Sequence, residues 1–202
     1  MADRPNTEGK EYADRLNTLG SVWWKRALDV QRPYRRHLQS LKLGFVLDIG
    51  CGIGRHLGHL GGNGVGVDHN PDSVASARSR GLLAFTPTAF TDSEYAISGR
   101  FDSLLCSHVV EHMQAPQAHS LLASYLPYLR EGGRVVLITP QEAGYKSDAT
   151  HLEFFDFQAL AQLSQKLGLV PDRSYSFPFP RFVGKVFKHN EFIWIAHKPS
   201  KK

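Results

Sequence analysis

Cysteine is nearly missing from this chain of 202 residues: Cys51 and Cys106 stand alone, far apart in sequence. That argues against a disulfide framework or a zinc knuckle, and two free thiols predict a reducing, cytoplasmic setting. Apolar runs are short. None approaches the ~20 residues needed to span a bilayer, and no N-terminal stretch has the make-up of a secretory signal, so the chain reads as soluble. Internal repeats and low-complexity tracts are absent too. No His, Cys and carboxylate residues cluster at ligand spacing, so no metal is expected. The formal net charge of +5 comes from scattered basic residues, apart from Arg32, Arg35 and Arg36 and a Lys-Pro-Ser-Lys-Lys tail. Without a basic stripe interleaved with aromatics it reads as a solubilising surface, and no nucleic-acid partner is expected.

What remains is an ordinary globular make-up, 42% hydrophobic and 21% charged, long enough to bury one core. The reading is a single domain over 1–202, with an N-terminal helical lid at 1–40, an α/β core at 41–197 and a basic tail at 198–202. Trp23 and Trp24 lie in the helical N-terminal stretch, where Pro33 should start or kink a segment. Strands are expected at Phe45–Ile49, Val65–Asp68, Leu82–Phe85, Phe101–Cys106 and Arg134–Thr139. Helices are expected after Asn70-Pro71, over Pro116–Leu129 and over Phe154–Gly168. Alternating strands and helices mean a mainly parallel sheet covered on both faces. Leu169–Phe177 and Glu191–His197 read as a final antiparallel edge hairpin with a long excursion between its strands.

The most informative stretch is Val46-Leu47-Asp48-Ile49-Gly50-Cys51-Gly52-Ile53-Gly54-Arg55. An apolar strand ends in an acid, turns through alternating glycines and enters a helix, so a ligand can lie against the main chain. A dinucleotide fingerprint would need glycine at position 55, where Arg55 stands. Asp48 would repel a pyrophosphate but suits a ligand with an ammonium group. Asp68, at the tip of the second strand, suits the hydroxyls of a ribose. Asp48, Asp68, Ser107 and Thr139 all fall at carboxyl ends of strands and should line one rim.

The run Asp48-Ile49-Gly50-Cys51-Gly52-Ile53-Gly54 with Asp68 downstream resembles the class I S-adenosylmethionine-dependent methyltransferases. Ser107-His108-Val109-Val110-Glu111-His112 and Leu129-Arg130-Glu131-Gly132-Gly133 through Pro140 resemble their fourth- and fifth-strand segments, in the right order. The nearest subgroup is the small-molecule type that resembles the ubiquinone and menaquinone biosynthesis enzymes. The resemblance implies a Rossmann-like, doubly wound sheet of seven strands that binds S-adenosyl-L-methionine. It places Asp48, Gly50, Cys51, Gly52, Gly54, Asp68, His69, Ala89, Phe90 and Ser107 on the cofactor, with Ala89 and Phe90 flanking adenine. An acid that many relatives carry after the third strand is absent from Thr86-Pro87-Thr88-Ala89-Phe90. Ser107-His108-Val109 also stands where enzymes methylating nucleic-acid amines carry Asn/Asp-Pro-Pro-aromatic.

Transfer to an oxygen needs a group that removes a proton, and histidine titrates near neutrality. Of the candidate bases His108, His112 and His151, His151 leads and His108 is second, while His112 more often shapes its loop; Tyr145 or Lys146 could orient the acceptor, and Glu111 could position a histidine or simply cap. Phe177 through Lys188 packs four phenylalanines and three cations into twelve residues. Its rings either complete the core or greet an amphiphilic acceptor, which leaves peripheral membrane contact open. The expected activity is methyl transfer to oxygen of a small or lipid-like acceptor, by a monomer or homodimer. A silent cofactor-binding partner protein and a nicotinamide oxidoreductase are the alternatives.

Overall fold

The computed structural model describes residues 31–200. Trp23 and Trp24 lie outside the described residues, and with them most of the expected lid. The first described helix, α1 (Arg32–Ser40), carries Pro33 in its first turn, where a missing N–H costs nothing. Its Leu38, with Leu41 and Leu43 beyond it, packs onto one face of the central sheet against Val46, Leu105, Val136, Ile138, Ile193 and Ile195. This part of the N-terminal stretch therefore covers the sheet.

The sheet has seven strands: β1 (Val46–Ile49), β2 (Gly64–Val67), β3 (Ala84–Phe85), β4 (Phe101–Ser107), β5 (Leu129–Pro140), β6 (Val170–Phe177) and β7 (Glu191–His197), in the order β3-β2-β1-β4-β5-β7-β6. β1 to β5 are parallel, and β7 runs antiparallel between β5 and β6. The connecting helices are α2 (Arg55–His59), α3 (Pro71–Ser79), α4 (Pro87–Thr91), α5 (Ala115–Tyr125), α6 (Glu142–Lys146) and α7 (Phe157–Lys166). Burial on both faces follows from strand alternation. Leu47, Ile49, Leu104, Cys106, Val135 and Leu137 face one cluster with Phe90, Leu122 and Leu160, while Val46, Leu105 and Val136 face the α1 side. By that parity Asp48 points to the same side as Val46.

Local signals set most boundaries. Asn70 caps α3 by accepting from the N–H groups of Asp72 and Ser73, and Asp156 caps α7 by accepting from Ala159. The helix expected over Pro116–Leu129 stops at Tyr125 and tightens into a 3-10 turn over Leu126–Tyr128. Pro127 supplies the reason: it has no N–H for the helical ladder. β5 starts at Leu129, well before the expected Arg134, because a register shift between Phe101 and Ser103 of β4 absorbs its glycine-rich start.

Asn190 and Gln141, both fully buried, pin the excursion between β6 and β7. Asn190 Nδ2 donates to Gln141 Oε1 (3.0 Å) and Ser176 Oγ (3.0 Å), and its Oδ1 accepts from the Phe179 N–H (2.9 Å). Gln141 Nε2 donates to the Glu191 carbonyl at 2.9 Å. Asn190→Ala is expected to destabilise the fold by about 2–4 kcal/mol, as buried partners are left unmatched. Urea unfolding checks this, and a loss under ~1 kcal/mol would remove the network from the stability account.

Candidate cofactor and acceptor site

The strand order reverses direction between β1 and β4, and ligands in such sheets bind in the crevice beyond the carboxyl ends at that point. The loop after β1 borders it. Gly50 has φ 73°, and a Cβ there would lie 2.3 Å from Val109 Cγ2. Gly54 has φ 79°, begins α2, and would place a Cβ 2.5 Å from Leu82 Cδ1. Both positions demand glycine for the chain's own turn and packing. The Gly52 N–H donates to Asp68 Oδ2 at 2.7 Å, which ties the loop to the end of β2.

Asp48 is 1% exposed, and neither of its carboxylate oxygens meets a donor among the described residues. Burial, and then the neighbouring charge of Asp68, pushes its pKa up to about 8. Asp68 is satisfied on one side of each oxygen, by Gly52 and by the Asn70 N–H at 2.9 Å. Each oxygen keeps a further lone pair for a ligand. Ser107, at the end of β4, is buried, and its hydroxyl has no partner among the described residues. His69 is half exposed, with Nδ1 3.7 Å from Asp68 Oδ1. These groups fit a ligand with a cationic end and a sugar.

Several expected site residues are held by packing or by partners within the chain. The Cys51 thiol is buried against the Cα side of Gly66, and burial pushes its pKa far up, so its side chain is spent on packing within the loop. The Phe90 ring is 1% exposed among Phe101, Tyr125 and Tyr128, in the core, where it cannot flank adenine. Ala89 is exposed and borders a cavity of ≈ 350 Å³ with Pro71, Val74, Ala75, Arg78 and Thr86. Thr139 is fully buried, and its hydroxyl donates to the Phe155 carbonyl at 2.8 Å, so it is spent on structure.

His108 sits at φ 57°, where a non-glycine residue is strained by about 1–3 kcal/mol. Its Nδ1 lies 3.1 Å from Glu111 Oε1 and its Nε2 2.9 Å from Glu191 Oε1. Burial opposes its charge, but the two carboxylates outweigh that and hold its pKa up at about 10. Carboxylates only accept, so both ring nitrogens carry protons at neutral pH. His108 is therefore a fixed cation with no lone pair for an acceptor's proton, which corrects its reading as a base. Sequence reasoning missed Glu191 altogether, and with a separation of 83 residues no local signal could have found it.

His151 and His112 lie together, with ring centroids 4.9 Å apart. His151 Nδ1 is 2.7 Å from the Tyr145 carbonyl, and its ring stacks on Tyr145 at 5.3 Å. A carbonyl only accepts, so Nδ1 carries the proton and the neutral ring keeps its lone pair on Nε2. His112 Nδ1 lies 3.0 Å from Thr150 Oγ1, which itself bonds Asp148 Oδ1 at 2.8 Å. Burial, more than any neighbour, lowers the His112 pKa. Glu111, His112 and His151 each offer a ligand atom within 4.8 Å of the others. This grouping corrects the expectation of no ligand cluster, which linear spacing could not reveal.

The segment expected to be either core or acceptor surface divides into packed and exposed residues. Phe177 stacks on His37 at 4.0 Å and Phe187 packs edge-on to Phe179, whereas Phe182 (71%) and Val186 (84%) stand in solvent. Arg181 pairs with both oxygens of Glu142 and lies 4.6 Å over the Phe192 ring.

Residues 23–173 match a family model described as a methyltransferase domain. A ubiquinone biosynthesis O-methyltransferase from Xanthomonas oryzae is 27% identical over 143 residues, covering 62% of this chain. The chain spans 59% of that relative's length. Among solved structures, an S-adenosylmethionine-dependent methyltransferase from Archaeoglobus fulgidus superposes with a TM-score of 0.65 at 17% identity, over 87% of this chain and 98% of that one. A magnesium protoporphyrin IX methyltransferase from Synechocystis PCC 6803 with bound S-adenosylmethionine gives 0.59 at 14% identity, over 98% and 100%.

Proposed function

We propose, from the premise that this chain belongs to the class I S-adenosylmethionine-dependent methyltransferases, that it methylates a hydroxyl of a small or lipid-like organic acceptor. The observation that carries this reading is the orphaned, buried carboxyl of Asp48 beside the glycine loop and Asp68. A buried polar group without a partner is costly unless a ligand completes it. S-adenosylmethionine supplies a methyl group on a sulfonium, a ribose and an ammonium group.

Asp48 is assigned to the ammonium end, directly or through water, and Asp68 to the ribose hydroxyls through its remaining lone pairs. Ser107 and the backbone of Gly50, Gly52 and Gly54 border the amino-acid part, with His69 and Ala89 toward the base. Methyl transfer is an in-line displacement with a neutral leaving group, so the protein mainly aligns the partners and excludes water. His151 is assigned to the acceptor's proton, because its hydrogen bond to Tyr145 leaves Nε2 as a lone pair. His108 positions Glu111 and takes no proton. The O-methyltransferase relative supports oxygen as the acceptor atom, and exposed Phe182 and Val186 beside Lys185 and Lys188 support a lipid-like acceptor and peripheral membrane contact.

Parallel calorimetric titrations with S-adenosylmethionine, S-adenosylhomocysteine and NAD test the donor side. Micromolar binding of the first two and none of NAD is the expected result; NAD binding would restore the oxidoreductase alternative. Incubation of the binding-competent protein with a panel of phenolic and lipid-tailed hydroxy compounds then tests turnover. Cofactor binding with no methylated product across that panel would favour the silent partner.

A further inference from the structure

We propose that Glu111, His112 and His151 bind one divalent transition-metal ion that holds the acceptor's oxygen for methylation. The use of the ion rests on the methyl-transfer reading, but the existence of the site rests on side-chain geometry alone.

The three side chains converge to within 4.8 Å, and each is oriented from behind. Glu111 is fully buried; His108 holds its Oε1 at 3.1 Å, and its Oε2 meets no donor among the described residues. An unpartnered buried carboxylate oxygen beside two imidazoles is short of a cation. The proton positions agree. Asp148 can only accept, so the Thr150 hydroxyl donates to it, and Thr150 Oγ1 must then accept from His112 Nδ1. His151 Nδ1 donates to the Tyr145 carbonyl. Both rings thus keep their lone pairs on Nε2, with the outer N–H groups fixed by oxygen acceptors. Metal-ligating histidines are oriented in the same way, and ligating carboxylates are likewise hydrogen-bonded from behind.

Two imidazoles and one carboxylate suit Zn²⁺, Fe²⁺ or Co²⁺ better than Mg²⁺ or Ca²⁺, and leave coordination positions open. Ligands around Zn²⁺ at ~2.0–2.1 Å lie about 3.3 Å apart, so the groups close in by at most roughly 1.5 Å, within side-chain rotation. The lone pair of His151 then acts on the acceptor through the ion. The acceptor hydroxyl coordinates the cation and loses its proton to water more readily. Its oxygen forms a bond to the methyl carbon, the carbon–sulfur bond breaks, and its electron pair stays with the neutral thioether. The products are the methyl ether, S-adenosylhomocysteine and the released proton, with nothing oxidised or reduced.

The test is a titration of the purified, chelator-dialysed full chain with Co²⁺, followed by calorimetry and by the visible d–d absorption of the ion. The expected result is one Co²⁺ per chain with visible bands, weakened at least ~100-fold in Glu111→Gln and His151→Ala. Thr150→Val, which removes the hydroxyl bridging His112 and Asp148 but none of the three ligands, is expected to weaken binding about 10–100-fold. No bands and no saturable binding, or binding that all three variants leave unchanged, would overturn the site. Full-rate turnover by the dialysed wild type would overturn the ion's role with the acceptor. The same dialysed sample is titrated with S-adenosylmethionine: cofactor binding without Co²⁺ binding sinks the metal and leaves the methyltransferase reading intact. Co²⁺ binding without cofactor binding does the reverse.

Discussion

His151→Ala is expected to lower kcat by about 10²- to 10⁴-fold while leaving the Kd for S-adenosylmethionine unchanged. The ring is fixed by its hydrogen bond to the Tyr145 carbonyl, by stacking on Tyr145 and by its edge toward His112, so its loss removes one lone pair from a set geometry. Both ways of using that lone pair, on the acceptor's proton or on an ion, are lost together. The ring is only partly buried, and the change should cost little stability. Stopped-time assays at saturating cofactor, paired with calorimetry, separate the two quantities. A weakened cofactor Kd would move His151 to the donor side, and an unchanged kcat would remove it from the chemistry.

Asp48→Asn should act in opposite directions on stability and on binding. The variant keeps the size of the side chain but loses the charge that would meet the cofactor's ammonium group, so affinity should fall by roughly ten- to a hundred-fold, or ~1.5–3 kcal/mol. The free protein should gain. The folded pKa of Asp48 is raised to about 8 against an ordinary value of ~3.9, so the folded state holds more protons between those limits. Stability of the wild type therefore declines as pH rises from about 4 to about 8, and Asp48→Asn escapes that decline. Wild-type cofactor binding near pH 7 should release a proton, seen as a dependence of the calorimetric enthalpy on the buffer. Equal pH–stability profiles for the two proteins would show that Asp48 is not a strained acid.

The candidate donor side could be assembled from the sequence because its determinants are local. Asp48, the glycines and Asp68 lie on a strand, its following turn and the next strand tip, and strand parity fixes which way they point. Phe90 misled because it is the fourth residue of a short helix in which the preceding Ala89 is exposed: one step along the chain separates surface from core. The acceptor side was legible only in its parts. His108, His112 and His151 stand out as residue types, but their protonation is set by Glu191, Thr150 and Tyr145, which the chain brings in from other elements. The end of α5 was missed for a simpler reason, since Pro127 was read through rather than as a stop.

The placement of β7 also sets an order of events during synthesis. His108 and its second carboxylate, Glu191, are separated by 83 residues. At a translation rate of ~5–20 residues per second, about 4–17 s pass between the two leaving the ribosome. Over that interval β1 to β5 can pair in their parallel order, while the imidazole has Glu111 alone to oppose its charge. The clamp that orients Glu111 closes after the last strand slides in beside β5, so a nascent chain can form the crevice beyond β1 before it completes the candidate acceptor end.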